Sequence, residues 1–413
     1  MSAISPRIIE LIEYVPVQFE REDIPPVVGE ALWQNYGTQV AVDFPSPKTG
    51  DCWRLTAKGW VGYIPLTPNF HFALRPKVQL VSLLGMLEYA YDLKSFRFIE
   101  GLFDCQTLEE FYERLADVLA CRILNRGRQG LYCAYLPKTE RLPYIRGRID
   151  VQQGISRPWD VKVQCHYEEQ TADVEENQIL AWTLWCIARS GLCTERVLPT
   201  VRRAYHLLQG FVTLQPKSPK ACVGRQYNRL NADYRLLHAL CRFFLEQSGP
   251  SHEIGDRTML PFLVDMARLY ERFVAEWLKA HRETALLSQG LDIKSQERLY
   301  FCGGQDIYFD IDLVLKDVTT GVAKYVLDTK YKASSAPKSS DIAQVVAYAE
   351  AKQCQEAILV YPTSLVEPLD IRLGCIRIRS LTYSLSGDLE QEGYKFLQNL
   401  LNTGLLDSNV FCQ

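Results

Sequence analysis

Residues 308–331 read YFDIDLVLKDVTTGVAKYVLDTKY, and they are followed by DIAQVVAY at 341–348 and by AILVYP at 357–362. The first stretch predicts two β-strands joined by a hairpin turn, the second predicts a helix, and the third predicts another strand. Asp312 and Asp328 each interrupt one of the two apolar strands. Burying a carboxylate in such a strand costs free energy unless the carboxylate is paired or binds a cation. This stretch therefore predicts an α/β domain that contains a charged site.

The two aspartates can approach each other because only the short turn at residues 316–321 separates their strands. Carboxylates held that close repel each other unless a cation lies between them, and Mg²⁺ is a hard ion that binds carboxylate and phosphate oxygens. Such an ion activates a water molecule and offsets charge that develops on phosphorus. The residues therefore predict Mg²⁺-dependent phosphodiester hydrolysis, with Asp312 and Asp328 as metal ligands.

Lysine, glutamine and tyrosine side chains extend the predicted catalytic site. Side chains alternate along a strand, so Lys330 projects from the same face as Asp328. It can orient or deprotonate the water, or stabilise the transition state. On the predicted helix, Gln344 and Tyr348 share one face, from which Gln344 can position water or phosphate and Tyr348 can contact DNA. An Asp-x-Lys tripeptide alone is usually a surface ion pair, so the prediction depends on the whole combination.

Several further side chains belong to the candidate set. Glu271, on an amphipathic helix predicted at Leu263–Ala280, is an additional acidic residue for catalysis and for the metal. Lys332 and Lys338 are candidate DNA contacts, although lysines in such a segment are equally typical of a solvated loop. Asp310 shares a strand face with Asp312, so the residues leave both as candidates for the first metal ligand.

The length of 413 residues predicts more than one domain. We expect an N-terminal region at residues 1–250, β-rich over 1–80 and mixed helical over 80–250. An endonuclease domain is expected at 255–413. The boundary is placed near 248–256, where QSGPSHE combines the Ser, Gly and Pro typical of a linker. The expected class is α/β, or α+β for the whole chain, with a mixed central sheet in the second domain.

Composition excludes several classes of function. The net charge of −3 argues against an indiscriminate basic DNA-binding protein but not against a local basic cleft. The 13 cysteines contain no Cys-x-x-Cys pair, which disfavours a zinc site. No apolar run reaches the ~18–20 residues of a membrane helix and no signal peptide is visible, so we expect a cytoplasmic protein without a membrane partner.

The C-terminal half resembles the PD-(D/E)xK nuclease superfamily, with Asp312, Asp328-Thr329-Lys330 and Gln344-x-x-x-Tyr348 in order. It resembles more closely McrC, the nuclease subunit of McrBC modification-dependent restriction systems. The shared phrases are PFLVDM at 261–266, LYERFV at 269–274, VLDTKYK at 326–332 and ILVYP at 358–362. Weaker likenesses run through LRPK at 74–77, GRID at 147–150 and CHYEE at 165–169. The family has Pro before the first aspartate, where this chain has Ile311.

This resemblance implies a division of labour with a hexameric, McrB-like AAA+ GTPase, and it makes residues 1–250 the partner-docking region. The partner would bind GTP, while this chain would stimulate the hydrolysis and cut methylated double-stranded DNA with Mg²⁺. The chain contains no Gly-x-x-x-x-Gly-Lys-Ser/Thr phosphate loop, which agrees with that division. Two alternatives are a non-catalytic adaptor that activates a GTPase through a degenerate nuclease fold, and a stand-alone repair or RNA-directed nuclease.

Overall fold

A computed structural model describes residues 7–67, 69–91, 93, 105, 107–152, 161–248, 252–254, 257–300, 308–332 and 336–401. The chain forms two compact units, of which the first combines Met1–Thr107 with Leu263–Gln413 and the second is Leu108–Phe262. This division differs from the expected split into 1–250 and 255–413. Within the described residues, no helix is both long and apolar enough to cross a membrane.

The N-terminal part of the first unit is mostly β-structure, as expected for residues 1–80. Its strands are β1 (Arg7–Ile12), β2 (Val17–Phe19), β3 (Val40–Asp43), β4 (Trp53–Ala57), β5 (Trp60–Thr67) and β6 (Phe70–Arg75). Two helices accompany them, α1 (Pro26–Tyr36) and α2 (Leu80–Ala90). Helix α2 begins the region expected to be mixed helical, whereas α1 lies in the region expected to be β-rich. Helix α1 has Pro26 at its first position, where the missing N–H costs nothing.

The second unit is largely helical, in agreement with the pattern expected after residue 80. Its elements are α3 (Leu108–Gln129), β7 (Ala134–Leu142), β8 (Arg148–Ile149), β9 (Val163–Thr171), α4 (Glu175–Arg189), α5 (Leu198–Gln209), α6 (Tyr234–Gln247), β10 (His252–Ile254) and β11 (Arg257–Met259). Strands β7, β9 and β8 form an antiparallel sheet, and β10 pairs with β11.

The C-terminal part of the first unit contains the stretch from which the fold was predicted. Its elements are β12 (Phe262–Asp265), α7 (Met266–Ala280), β13 (Leu291–Tyr300), β14 (Tyr308–Asp317), β15 (Ala323–Thr329), α8 (Ser339–Ala351), β16 (Glu356–Tyr361), β17 (Asp370–Leu373), β18 (Ile376–Thr382) and α9 (Leu389–Leu401). Six of the strands form one sheet in the order β13-β14-β15-β16-β18-β17. Its first three strands are antiparallel, whereas β15, β16 and β18 run parallel. The predicted α/β class with a mixed central sheet is therefore confirmed.

The predicted helix at Leu263–Ala280 begins later than expected. Residues of β12 extend the N-terminal sheet, whose order is β1-β6-β5-β12. Leu263 packs in the core of that sheet, and α7 begins at Met266 behind Asp265, whose carboxylate accepts hydrogen bonds from the N–H groups of Ala267 and Arg268. The apolar run is thus divided between strand β12 and helix α7. Helix α7 connects the N-terminal sheet, through β12, to the six-stranded C-terminal sheet in sequence.

Candidate functional site

The site lies where β14 and β15 run side by side. Leu313 pairs with Leu327 in the antiparallel register, which places Asp312 opposite Asp328 at the next position. Asp312 Oδ2 accepts hydrogen bonds from Thr329 N at 2.8 Å and from Thr329 Oγ1 at 2.9 Å. The two aspartates that the sequence singled out are therefore brought together on one face of the sheet.

Asp328 is the most buried charged group of the site. Its side chain is 1% exposed, because β15 lies inside the sheet between β14 and β16. Oδ2 lies 2.6 Å from Lys330 Nζ, yet within the described residues this buried oxygen accepts no hydrogen bond of good geometry. Burial, followed by the charge of Asp312, raises the pKa of Asp328 to about 7. Burial also raises the pKa of Asp312, against the opposing hydrogen bonds from Thr329.

Lys330 connects the aspartates to α8. Its Nζ donates to Gln344 Oε1 at 2.9 Å, and Gln344 Nε2 lies 2.7 Å from the hydroxyl of Tyr348. Burial lowers the pKa of Lys330, but the charge and hydrogen bond of Asp328, together with the charges of Asp312 and Asp341, raise it overall. An ammonium group has three donors. The contacts to Asp328 and Gln344 hold Lys330 as an oriented cation beside the carboxylates.

Glu271 faces the same region from α7. Burial raises the pKa of Glu271 to about 7, and the charge of Asp312 is the next largest cause. Gln296 Nε2 lies 3.4 Å from Glu271 Oε1. However, no group of three or more Asp, Glu, His or Cys side chains within the described ranges is close enough to hold a metal ion. The predicted role of Glu271 as a metal ligand therefore finds no support in this geometry, although its charge interacts with both aspartates.

The pair formed by Asp312 and Asp328 fits a magnesium ion. Burial raises the pKa of both carboxylates, the charge of Asp312 raises that of Asp328 further, and a cation between them would relieve that repulsion. The buried Oδ2 of Asp328 lacks a well-formed hydrogen bond among the described residues. Mg²⁺ typically binds one or two carboxylates and completes its shell with waters and phosphate oxygens.

Asp310, the alternative first ligand, is engaged elsewhere. Both of its carboxylate oxygens accept hydrogen bonds from Arg298, at 2.7 and 2.9 Å, in an exposed pair. These hydrogen bonds lower the pKa of Asp310, whereas burial raises that of Asp312. The structure therefore favours Asp312 over Asp310 as the partner of Asp328.

The predicted DNA contacts fall into different environments. Tyr348 is only 6% exposed and its ring packs against Phe309, so it is a core residue whose hydroxyl holds Gln344 rather than an open surface for DNA. Lys332 Nζ lies 2.8 Å from both carboxylate oxygens of the buried Asp341. Lys338 is exposed directly before α8 and is the member of this set with a free approach from solvent.

Two residues at the site were not anticipated. Thr329, the middle residue of Asp-Thr-Lys, fixes Asp312 through its N–H and its hydroxyl. Gln296 lies opposite Asp312 in the register of β13 and β14, where the regular pairing is interrupted, and it adopts a φ of 49°. A left-handed conformation is uncommon for a residue other than Gly, and such strained positions cluster at functional sites. The spacing of apolar residues does not indicate the φ angle of a single residue, so the sequence alone could not identify Gln296 as part of the site.

Comparisons with known proteins agree with this architecture. The chain matches the family described as "McrBC 5-methylcytosine restriction system component" over residues 55–362, which is about three quarters of its length. It is 26% identical over 184 residues to the type IV methyl-directed restriction enzyme EcoKMcrBC of Escherichia coli (strain K12). That match covers 41% of this chain and 51% of the relative, so the chain spans about half the length of the curated protein that it matches.

Two solved structures from Thermococcus gammatolerans are also similar. A chain in the refined half-complex from the tetradecameric assembly of McrB AAA+ hexamers with bound McrC is 16% identical, with a TM-score of 0.54. The match covers 96% of this chain and 100% of that one. A chain in the cryo-EM structure of the McrBC complex is 17% identical, with 66% and 87% covered and a TM-score of 0.44. The first likeness supports the fold over nearly the whole chain.

Proposed function

This chain belongs to the family of McrBC 5-methylcytosine restriction system components, and on that premise we propose that it is the endonuclease subunit of a GTP-dependent, modification-dependent restriction system. The family predicted from the sequence is thereby confirmed. The proposed reaction is Mg²⁺-dependent hydrolysis of phosphodiester bonds in methylated double-stranded DNA. The observation that carries the proposal is the meeting of Asp312, Asp328 and Lys330 on one face of the central sheet.

Each residue has a defined task in the proposed reaction. Asp312 and Asp328 would hold Mg²⁺, and Thr329 keeps Asp312 in place. When bound, Mg²⁺ supplies Lewis-acid activation of water and offsets charge on the phosphate. Lys330 presents a positive charge beside the carboxylates, where a transition state with extra negative charge on phosphate oxygens would be stabilised.

The helix α8 positions Lys330 and offers a polar group to the reaction. The amide of Gln344 is fixed at one end by Tyr348 and accepts a hydrogen bond from Lys330 at the other. Gln344 is exposed, so its amide remains accessible to a water or a phosphate oxygen. Tyr348 is buried and acts on the site only through Gln344. The carboxylate of Glu271 interacts electrostatically with Asp312 and Asp328, and this interaction does not require that Glu271 bind the metal.

The proposed partner is a McrB-like hexameric AAA+ GTPase. Support comes from family membership and from the similarity to a chain in an assembly of McrB hexamers with bound McrC. The sequence contains no phosphate-binding loop of the Gly-x-x-x-x-Gly-Lys type. GTP would therefore be bound by the partner, and this chain would contribute the nuclease site and stimulate GTP hydrolysis.

The proposal is tested by cleavage of methylated and unmethylated plasmid with Mg²⁺, in the presence and absence of the AAA+ partner and GTP. Asp312→Ala and Asp328→Ala should abolish cutting. Asp310→Ala is the matched control, because it removes an aspartate from the same strand face but outside the carboxylate pair. We expect this variant to cut at a rate within about twofold of the wild type, because exposed ion pairs contribute little.

The same experiment separates the alternative functions. Cutting that requires the partner, GTP and Asp328 supports the restriction nuclease. Cutting of DNA or RNA without a partner would instead identify a stand-alone nuclease. Stimulation of GTP hydrolysis without any cutting, unchanged in Asp328→Ala, would identify a non-catalytic adaptor.

A further inference from the structure

Glu13 is a buried carboxylate that the proposed chemistry does not use. It directly follows β1, and its side chain is 0% exposed. Its main chain connects the N-terminal sheet to the neighbouring sheet β2-β4-β3, because Glu13 N donates to Arg75 O of β6 at 3.0 Å and Glu13 bridges to Ala57 of β4. Burying a carboxylate costs free energy unless the group is paired or hydrogen-bonded, so the contacts of Glu13 need an explanation.

The hydrogen bonds of Glu13 are incomplete on one side. Oε2 accepts from Lys77 N at 3.4 Å and from the hydroxyl of Tyr331 at 3.1 Å. Oε1 is buried and has no hydrogen-bond partner among the described residues. The next residue, Tyr14, has a φ of 60°, which is a left-handed conformation that costs free energy in a residue with a side chain. A buried group with an unpaired oxygen beside a strained residue calls for a role beyond packing.

Tyr331 carries this contact to the candidate site. It directly follows Lys330, and its side chain is 8% exposed. Its ring contacts the ring of Tyr270, with centroids 6.0 Å apart, and Tyr270 directly precedes Glu271. One tyrosine thus touches the N-terminal sheet through Glu13, continues the backbone of Lys330, and packs against the residue before Glu271.

We propose that Glu13 and Tyr331 form a positioning link that sets the placement of Lys330 and of the Asp312–Asp328 pair from the N-terminal sheet. Neither residue is catalytic, because neither touches the carboxylate pair. A shift of Tyr331 moves the end of β15, since only one peptide bond separates it from Lys330. This inference rests on the proposed function of the site. It adds that the N-terminal sheet of the same compact unit helps to position the residues of that site.

The link is tested with Glu13→Gln and Tyr331→Phe, which keep the size of each side chain. The first readout is single-turnover cleavage with partner, GTP and Mg²⁺, and we expect a decrease of about tenfold in each variant. The second readout is the affinity for Mn²⁺ followed by electron paramagnetic resonance without DNA, and we expect it to weaken about fivefold. The double variant should lose no more than either single variant, because the two residues act through one contact.

Tyr234→Phe is the matched control for a purely structural effect. Tyr234 is fully buried, its hydroxyl donates to Asn177 Oδ1 at 2.6 Å, and it belongs to the other compact unit. This variant should lose thermal stability without loss of Mn²⁺ affinity or of cleavage rate. If the cleavage rate and the affinity for Mn²⁺ decrease in proportion to the melting temperature in all three variants, the link is overturned.

The remaining outcomes separate the link from the proposed function. Wild-type rates and affinities in Glu13→Gln and Tyr331→Phe would overturn the link while leaving the nuclease intact. A wild-type protein that binds Mn²⁺ but does not cut would overturn the nuclease, and the affinity comparison would still decide the link. A wild-type protein that neither binds Mn²⁺ nor cuts would overturn both.

Discussion

The carboxylates of Asp312 and Asp328 lie opposite each other in neighbouring strands, and their burial sets the pH range in which a cation can bind. Burial and the charge of Asp312 raise the pKa of Asp328 to about 7. Below that pH the carboxyl group is protonated and must release its proton before it can ligate a metal ion. The affinity for Mg²⁺ should therefore depend on pH, because protons and Mg²⁺ compete for the buried carboxylate of Asp328.

We predict that Mg²⁺ binds more tightly as the pH rises from 6 to 8 and then levels off. Below pH 7 the affinity should fall by up to about tenfold per pH unit, because one proton is released for each ion bound. Calorimetry in two buffers with different ionisation enthalpies measures this release directly. Asp310→Asn should behave like the wild type, whereas an affinity that is constant between pH 6 and 8 would contradict the assignment of Asp328.

Lys330→Ala should lower the cleavage rate by about a hundredfold or more while folding and partner binding stay intact. A preorganised charge that stabilises a transition state is typically worth this much. Lys330 contributes charge at the site rather than volume to the core, since its Nζ contacts Asp328 and Gln344. The measurements are single-turnover cleavage, thermal unfolding and co-purification with the partner.

Lys324→Ala is the control for Lys330→Ala, because Lys324 lies exposed on the same strand β15. It should cut like the wild type. Loss of partner binding in Lys330→Ala, or an equal loss of cutting in both variants, would count against the role given to Lys330.

At the scale of helices and strands, the prediction from sequence was most accurate where one apolar pattern corresponds to one helix or strand. The runs around Asp312 and Asp328 became β14 and β15, and the helix with Gln344 became α8. The prediction was wrong where one run serves two elements, since the stretch from Leu263 is first a strand and becomes helical only at Met266. Periodicity does not show which neighbour an apolar residue will pack against, and Leu263 joins a sheet made of residues before Arg75.

The helix α6 contains a buried histidine whose surroundings fix its neutral form. His238 Nδ1 lies 2.8 Å from the hydroxyl of Tyr227, and Nε2 lies 3.1 Å from Glu176 O. A carbonyl can only accept, so Nε2 carries the proton and Nδ1 accepts from Tyr227. Burial lowers the pKa of His238 to about 4, because the charged ring would lose its hydration.

We predict that the free energy of unfolding falls as the pH decreases from about 6.5 to about 4. In this window the unfolded chain protonates His238 and the folded chain does not, so acid favours unfolding by up to about 3 kcal/mol. Urea unfolding between pH 7 and pH 4.5 measures the loss. His238→Gln should show a flatter dependence on pH, and the same slope in both proteins would contradict the prediction.

At the scale of the whole molecule, the six-stranded C-terminal sheet and the N-terminal sheet belong to one compact unit, although more than 150 residues separate them in sequence. The strand β12 extends the N-terminal sheet, and Ser82 Oγ donates to Leu385 O at 2.6 Å. The expected boundary near 248–256 followed the Ser-, Gly- and Pro-rich composition of that segment, of which residues 249–251 and 255–256 lie outside the described residues. Local composition reports flexibility along the sequence, whereas a unit is defined by contacts between distant residues, so the discontinuous unit could not be predicted.

This arrangement predicts how fragments of the chain behave. Residues 255–413 alone should not unfold cooperatively, because they leave Leu263 and the Tyr331 hydroxyl without their N-terminal partners. Co-expression of residues 1–107 with 263–413 should restore a cooperative transition in calorimetry, whereas residues 108–262 should fold alone as the control. Apolar burial is the main favourable term in folding, so a unit that loses one face of its core loses a large part of its stability. A cooperative, Mn²⁺-binding fragment 255–413 would show instead that the six-stranded C-terminal sheet is independent of the N-terminal sheet, and it would remove the structural basis for the link through Glu13.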